Sequence, residues 1–224
     1  MCGRFLLEPR QPQVVRSFFE LEEESDLGRR WNVAPTQEVP VVRLDEEGMR
    51  KVARLRWGLI PSWSKDATVG QRMINARVET AAEKPSFRAA WKARRCIVPA
   101  TGWYEWQTTE AGKRAWLLRR ADSPFTPMAG LWESWQDPAG GRILDTFTIL
   151  TTEAVPELAS VHNRMPVVLE PAEFGSWLQG TGTLPVLAGP SREGSERAWS
   201  LVAVSDRVNN ARHEGPDCAE PLSP

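Results

Sequence analysis

The feature that most constrains the fold of this chain is a succession of short β-branched and aromatic runs, separated by turn signals and never set in a repeating strand–helix–strand rhythm. Val39 to Leu44, Asp45 to Gly48 and Met49 to Trp57 read as strand, turn and strand. Strand-like runs are predicted at Cys96–Pro99, Thr101–Gln107, Arg114–Arg119, Pro127–Trp135, Thr146–Thr151 and Trp199–Val204, punctuated by turns such as Glu110-Ala111-Gly112. Helical spacing is sparse. Val14, Val15, Phe18, Phe19 and Leu21 predict a helix that opens at Pro12 and ends by Asp26-Leu27-Gly28, and shorter helices are predicted near Ser86–Arg95, 155–160 and 171–179. The expected fold class is therefore α+β in a single domain, with mainly antiparallel curved sheets forming a barrel-like core and short flanking helices. Gly180 to Arg197 reads as a surface loop and the polar stretch from Asn209 as irregular, which sets expected boundaries of 1–210 for the domain and 211–224 for a C-terminal tail.

Composition narrows the function. With a formal charge of −1 the chain does not coat nucleic acid indiscriminately, yet residues 65–95 carry a net +5 and residues 8–26 a net −4, so one face can be basic while the whole is near neutral. No apolar run approaches the ~18–20 residues of a spanning helix, and no basic start followed by an apolar segment marks a leader. Cysteines at 2, 96 and 218 have no paired spacing; they predict a reducing, cytoplasmic setting and no metal. Cys96 reads as a core thiol and Cys218 as a tail residue. Eleven tryptophans are mostly core, with some available to stack on exposed bases.

Met1-Cys2-Gly3-Arg4-Phe5 is the chemically telling segment, because loss of Met1 leaves an α-amine and a thiol on one residue. Such an aminothiol is a nucleophile with its own base, and it condenses with an aldehyde to a Schiff base and then a five-membered thiazolidine. Alone, an early cysteine is equally a small apolar residue of a first strand. Four other groupings stand beside it: Asn32-Val33-Ala34-Pro35-Thr36, Ile74 to Thr80, Gly102-Trp103-Tyr104-Glu105-Trp106, and Val161-His162-Asn163-Arg164-Met165-Pro166.

MCGRF, NVAPTQ, WGLIPSW, MINARVET, CIVPATGWYEW and VHNRMPVVL, in this order from Met1 to about Asn210, resemble the SOS response-associated peptidase (SRAP) family. The resemblance implies loss of Met1, binding of single-stranded DNA carrying abasic sites (also at single-strand/double-strand junctions), a covalent thiazolidine link from Cys2 that shields the lesion, and a peptidase-like self-processing step. It implies no cofactor and no membrane partner, and a monomer is expected, nucleoid-associated if the source is bacterial. The matching catalytic residues are Cys2, Asn75, Glu105 and His162. Arg4, Arg77 and Arg164 are expected to grip phosphates, with Arg88 a further contact; Asn32, Pro35 and Thr151 are expected to line the cleft, and Trp63 to present an apolar wedge to the bases.

The residue types suit these roles. Glu105 lies between tryptophans on an apolar strand, where desolvation raises a carboxyl pKa and makes it a proton donor near neutrality; on an open strand face it would be an ordinary solvated glutamate. His162 suits assistance to sugar-ring opening, or is structural. Asn75 offers an amide that orients the amine, or serves a turn. The same residues admit another class, an N-terminal-nucleophile cysteine amidohydrolase or peptidase with Cys2 and His162 as the working pair. A DNA reader with an inert Cys2 is a third.

Overall fold

The computed structural model describes residues 2–181 and 198–222; of the predicted loop 180–197, all but its first two residues lie outside them. β1 (Arg4–Leu7) leads into α1 (Pro12–Phe19), followed by β2 (Arg30–Val33), β3 (Glu38–Leu44), β4 (Arg50–Trp57) and β5 (Asn75–Arg77). Two short helices, α2 (Val78–Ala81) and α3 (Arg88–Ala93), precede the run β6 (Arg95–Val98), β7 (Gly102–Thr109), β8 (Gly112–Arg120), β9 (Met128–Gln136) and β10 (Ile143–Glu153). Then come α4 (Pro156–Ala159), β11 (Arg164–Pro166), α5 (Phe174–Gln179) and β12 (Trp199–Ala203). The expected α+β class with mainly antiparallel curved sheets is what the chain adopts. β10, β4, β3, β6 and β9 pair in a ring, because β9 returns to β10, and this closes a five-stranded barrel with no free edge. A second sheet runs in the order β12-β8-β7-β1-β2.

Predicted and observed elements differ in instructive places. The first helix ends at Phe19 rather than near Asp26, since Glu20 turns left-handed (φ 51°, ψ 53°) and Leu21 N–H bonds back to the Arg16 carbonyl at 3.0 Å. The Arg50 guanidinium holds Glu20 there at 2.6 Å, and the acidic run beyond it is outside the helix. The periodicity reading does not find β1, β2, β5 or β11, strands of three or four residues that are too short to show a period. Cys218, read as a tail residue, is buried, as is Cys96.

The main core is continuous between barrel and second sheet. Trp57 packs on Phe5 (5.2 Å between ring centroids) and Phe147 (6.3 Å), and its indole N–H is satisfied by the Ile74 carbonyl at 2.9 Å. Phe18 and Phe19 of α1 close the other end of the core against Phe125 and Phe174. One backbone crossing ties β4 to the segment before β5: a Cβ on Gly58 (φ +121°) would lie 2.5 Å from the Gly70 carbonyl oxygen, with backbone on both sides of the contact. Gly58→Ala is expected to destabilise the protein by about 2–4 kcal/mol, from strain at positive φ plus overpacking, read as a shifted midpoint in urea unfolding.

The outer face of the second sheet, where Leu6, Tyr104, Ala115 and Leu117 form a smaller core, is covered by residues 204–222. This stretch has only short 3-10 turns at Asp206–Asn209 and Pro216–Cys218, yet it is fastened closely: Val204 bridges Pro221, Cys218 is buried, and Glu214 accepts from the backbone N–H of Trp31 while pairing with Arg30 at 2.9 Å. His213 Nε2 meets both carboxylate oxygens of Asp217 at 2.9 Å, and Arg207 pairs with the same carboxylate at 3.1 Å. Cys218 stands beside this pair, with all three donor atoms within 4.8 Å of one another. Asp217 thus already accepts from His213 and Arg207, and the group reads as a partly exposed clamp on the segment.

Candidate active site

Antiparallel pairing of β1 with β7 sets Arg4 opposite Tyr104 and Phe5 opposite Trp103, so the strand's N-terminal end runs toward Glu105. β5 pairs in parallel with β10, Asn75 against Ile149 and Arg77 against Thr151. β11 pairs with the same end of β10 from its other side, Arg164 against Glu153 and Pro166 against Thr151. Three short strands far apart in sequence thereby deliver Cys2, Asn75 and the His162–Arg164 loop to one region. The Gln107 amide adds a tie at 2.9 Å to the Ser160 carbonyl, from the end of β7 to the turn before His162.

Cys2 is fully buried. Its carbonyl accepts from Asn75 Nδ2 at 2.7 Å, and its thiol donates to the Arg4 carbonyl at 3.9 Å. Burial, and after it the nearby Glu105 charge, raise the thiol pKa well above the ordinary cysteine range, so the resting nucleophile is a neutral thiol. The other amide atom of Asn75, Oδ1, is buried with no hydrogen-bond partner among the described residues, an acceptor aimed at nothing the described chain supplies.

Glu105 is 3 % exposed on β7, and desolvation raises its pKa to about 7. A carboxyl in that state donates and accepts a proton near neutrality. His162 Nδ1 accepts from the Arg164 backbone N–H at 2.9 Å. Nδ1 also lies 3.1 Å from the Arg164 carbonyl, and the pKa of the ring is lowered, first by burial and also by the Arg164 charge, which favours the neutral imidazole. His162, Asn163, Arg164, Arg77 and Glu153 line a cavity of about 460 Å³.

The residues expected to touch DNA divide sharply. Arg77 is exposed at the rim of that cavity, Trp63 is 64 % exposed, Pro35 is half-buried in the turn after β2, and Arg88 is exposed at the start of α3. Asn32 and Thr151 do not line a cleft. Asn32 is fully buried on β2 with its amide committed to backbone carbonyls, and Thr151 is buried at the centre of the β5–β10–β11 pairing. Arg164 is not an open phosphate site: Glu79 takes its guanidinium through two bonds of 2.7 and 2.9 Å, and the Thr151 carbonyl takes a third at 2.6 Å. That contact holds the Glu79 carboxyl below its ordinary pKa. Arg4 points its guanidinium at the Val208 carbonyl (2.6 Å) and Asn32 Oδ1 (3.0 Å). Glu79 was missed as a site residue although it stands in the same motif as Asn75, four positions on, and its signal is that spacing. Asn209, whose side chain accepts from the Trp106 indole N–H at 2.6 Å, carries no signal that sequence alone reveals.

Comparison with known proteins identifies the family. The family model described as SOS response associated peptidase (SRAP) matches residues 1–211. The chain is 34 % identical to the abasic site processing protein YoqW of Bacillus subtilis, over 98 % of this chain and 99 % of that one. It is 30 % identical to the abasic site processing protein HMCES of Pongo abelii, over 86 % of this chain and 65 % of that protein. In fold it is similar to a crystal structure of a Bacteroides thetaiotaomicron protein, with a TM-score of 0.83, 24 % identity and coverage of 99 % and 100 %. A model match over nearly the whole length, together with a full-length relative at 34 % identity, establishes that the chain belongs to the SRAP family.

Proposed function

We propose that this protein processes abasic sites in single-stranded DNA, capturing the lesion covalently through the α-amine and thiol of Cys2 once Met1 is removed. The observation that carries the reading is the enclosure of Cys2 with a carboxyl, Glu105, whose pKa of about 7 suits it to proton transfer at neutral pH. The relatives named as abasic site processing proteins support the same substrate. The α-amine attacks C1 of the ring-opened sugar aldehyde to give a carbinolamine. Glu105 protonates the departing hydroxyl, water leaves, and the thiol adds to the imine carbon while its proton passes to nitrogen, closing the thiazolidine with net release of one water. His162 offers its Nε2–H to the sugar oxygen as the furanose opens, and Asn75 holds the Cys2 carbonyl so that the amine faces the aldehyde. No cofactor enters these steps.

Pro35, Trp63, Arg77 and Arg88 are the side chains available to the strand or to a junction, and Arg164 joins them only by exchanging Glu79 for a phosphate. All the chemistry lies within one chain, which fits a monomer acting on cytoplasmic, nucleoid DNA. Removal of Met1 precedes these steps, because it frees the Cys2 amine that attacks the aldehyde. A general amidohydrolase acting on other peptides is less well supported, because a thiol pKa raised by burial is the reverse of the activated thiolate such enzymes use.

The test is a denaturing gel of the processed protein mixed with single-stranded DNA bearing one abasic site, beside intact DNA. A heat-stable shifted band confined to the abasic strand is expected. Its absence, with mass spectrometry verifying loss of Met1, sinks the proposal and turns attention to amide substrates.

A further inference from the structure

A processed Cys2 is the end of a polypeptide, and chain ends fray unless something ties them down. Two residues beyond it, Arg4 supplies the carbonyl that the thiol contacts, and its guanidinium is held by the Val208 carbonyl and by Asn32. Burial pulls the Arg4 pKa below its ordinary value, the desolvation cost of a cation partly withdrawn from water. Asn32 is the hub of this arrangement. Its Oδ1 takes Arg4 at 3.0 Å, and its Nδ2 reaches the carbonyls of Val208 (3.2 Å), Asn210 (3.0 Å) and His213 (3.0 Å). The carbonyls belong to the C-terminal segment, which the His213–Asp217–Arg207 clamp closes. Thus the last described stretch of the chain grips the first strand both directly, through carbonyls on Arg4, and through the buried Asn32 that bonds Arg4 and three carbonyls of the stretch.

We propose that Asn32 is a positioning residue for the Cys2 nucleophile, acting through Arg4 and the strap formed by residues 204–222. The inference rests on the reading of Cys2 given above. Asn32 cannot touch a substrate, so its effect falls on the geometry of attack; a displacement of the nucleophile by about 1 Å costs up to about 100-fold in rate. A phosphate contact behaves differently, weakening DNA capture and reducing the salt dependence of binding.

Single-turnover rates of adduct formation, measured against DNA concentration at several salt concentrations, separate these roles. Asn32→Ala is expected to lower the maximal rate about 10- to 100-fold, with the half-saturating DNA concentration and salt slope unchanged. Asp217→Asn loosens the strap from its far end without touching Asn32, and is expected to lower the maximal rate by about 3-fold or more. Circular dichroism establishes that each variant is folded. Wild-type maximal rates in folded Asn32→Ala, or a loss confined to the half-saturating concentration, overturn the inference; if Asn32→Ala does not fold, an unchanged maximal rate in Asp217→Asn overturns it. Failure of the wild-type protein to form any adduct is a separate result, and refutes the covalent reading itself.

Discussion

Cys2→Ala is expected to abolish the heat-stable DNA adduct completely while leaving non-covalent capture of the strand intact. The thiazolidine needs sulfur to add to the imine carbon, and no other thiol can reach it, since Cys96 and Cys218 are both buried elsewhere in the fold. The variant still carries an α-amine after processing, so it still forms the imine. Borohydride reduction should therefore trap a Cys2→Ala adduct that heat destroys in the absence of reductant. This pair of outcomes separates the amine step from the thiol step. A chain that retains Met1 has its Cys2 nitrogen tied up as an amide and should form no thiazolidine. Cross-linking of a Met1-retaining chain at the normal rate, read by intact mass and denaturing gel, would falsify the thiazolidine mechanism.

Glu105→Gln is expected to slow adduct formation by about 10²- to 10⁴-fold, the usual range for a positioned acid or base. The glutamine keeps the shape of the side chain and removes its proton. Because burial raises the Glu105 pKa to about 7, the donor form is abundant below that value and is lost as pH rises through it. The wild-type rate should therefore fall above about pH 7 by a limb that is absent from Glu105→Gln. Stability has the same sign. The folded protein holds this proton more firmly than the unfolded chain, so the stabilising contribution is complete below about pH 4.3 and declines as pH climbs to about 7. Relative to Glu105→Gln, wild-type stability should drop by about 3 kcal/mol across that window, measurable by urea unfolding at a series of pH values. A rate profile identical in the two proteins would remove Glu105 from the reaction.

Much of the architecture was legible before any coordinates. β-branched and aromatic runs between turn signals marked β3, β4, β7, β8 and β9, because these residue types fit a pleated, buried surface. The site was legible in a different way, through motif types. An N-terminal cysteine, an asparagine, a glutamate between tryptophans and one of only two histidines are residues whose chemistry is local to the side chain.

What stayed hidden was pairing. β1, β2, β5 and β11 are too short to carry a period, and they exist because strands brought beside them by the fold offer them hydrogen bonds. The length of the first helix also escaped, since apolar spacing continues to Leu21 but Arg50, from another strand, fastens Glu20 in a left-handed turn. Asn32 and Thr151 have polar side chains that suit a cleft, and only burial by neighbours distant in the chain removed them from it. The fate of the arginines was equally non-local: Arg77 remains exposed, Arg164 is taken by Glu79, and Arg4 is taken by carbonyls from the far end of the chain. By itself, then, the sequence determined which chemical groups the protein possesses and the longer strands that carry its barrel, because reactivity and strand propensity are properties of near neighbours. Tertiary structure decided which of those groups are enclosed, which are already paired and what holds Cys2 in place, because desolvation and ion pairing depend on residues that only the folded chain brings together.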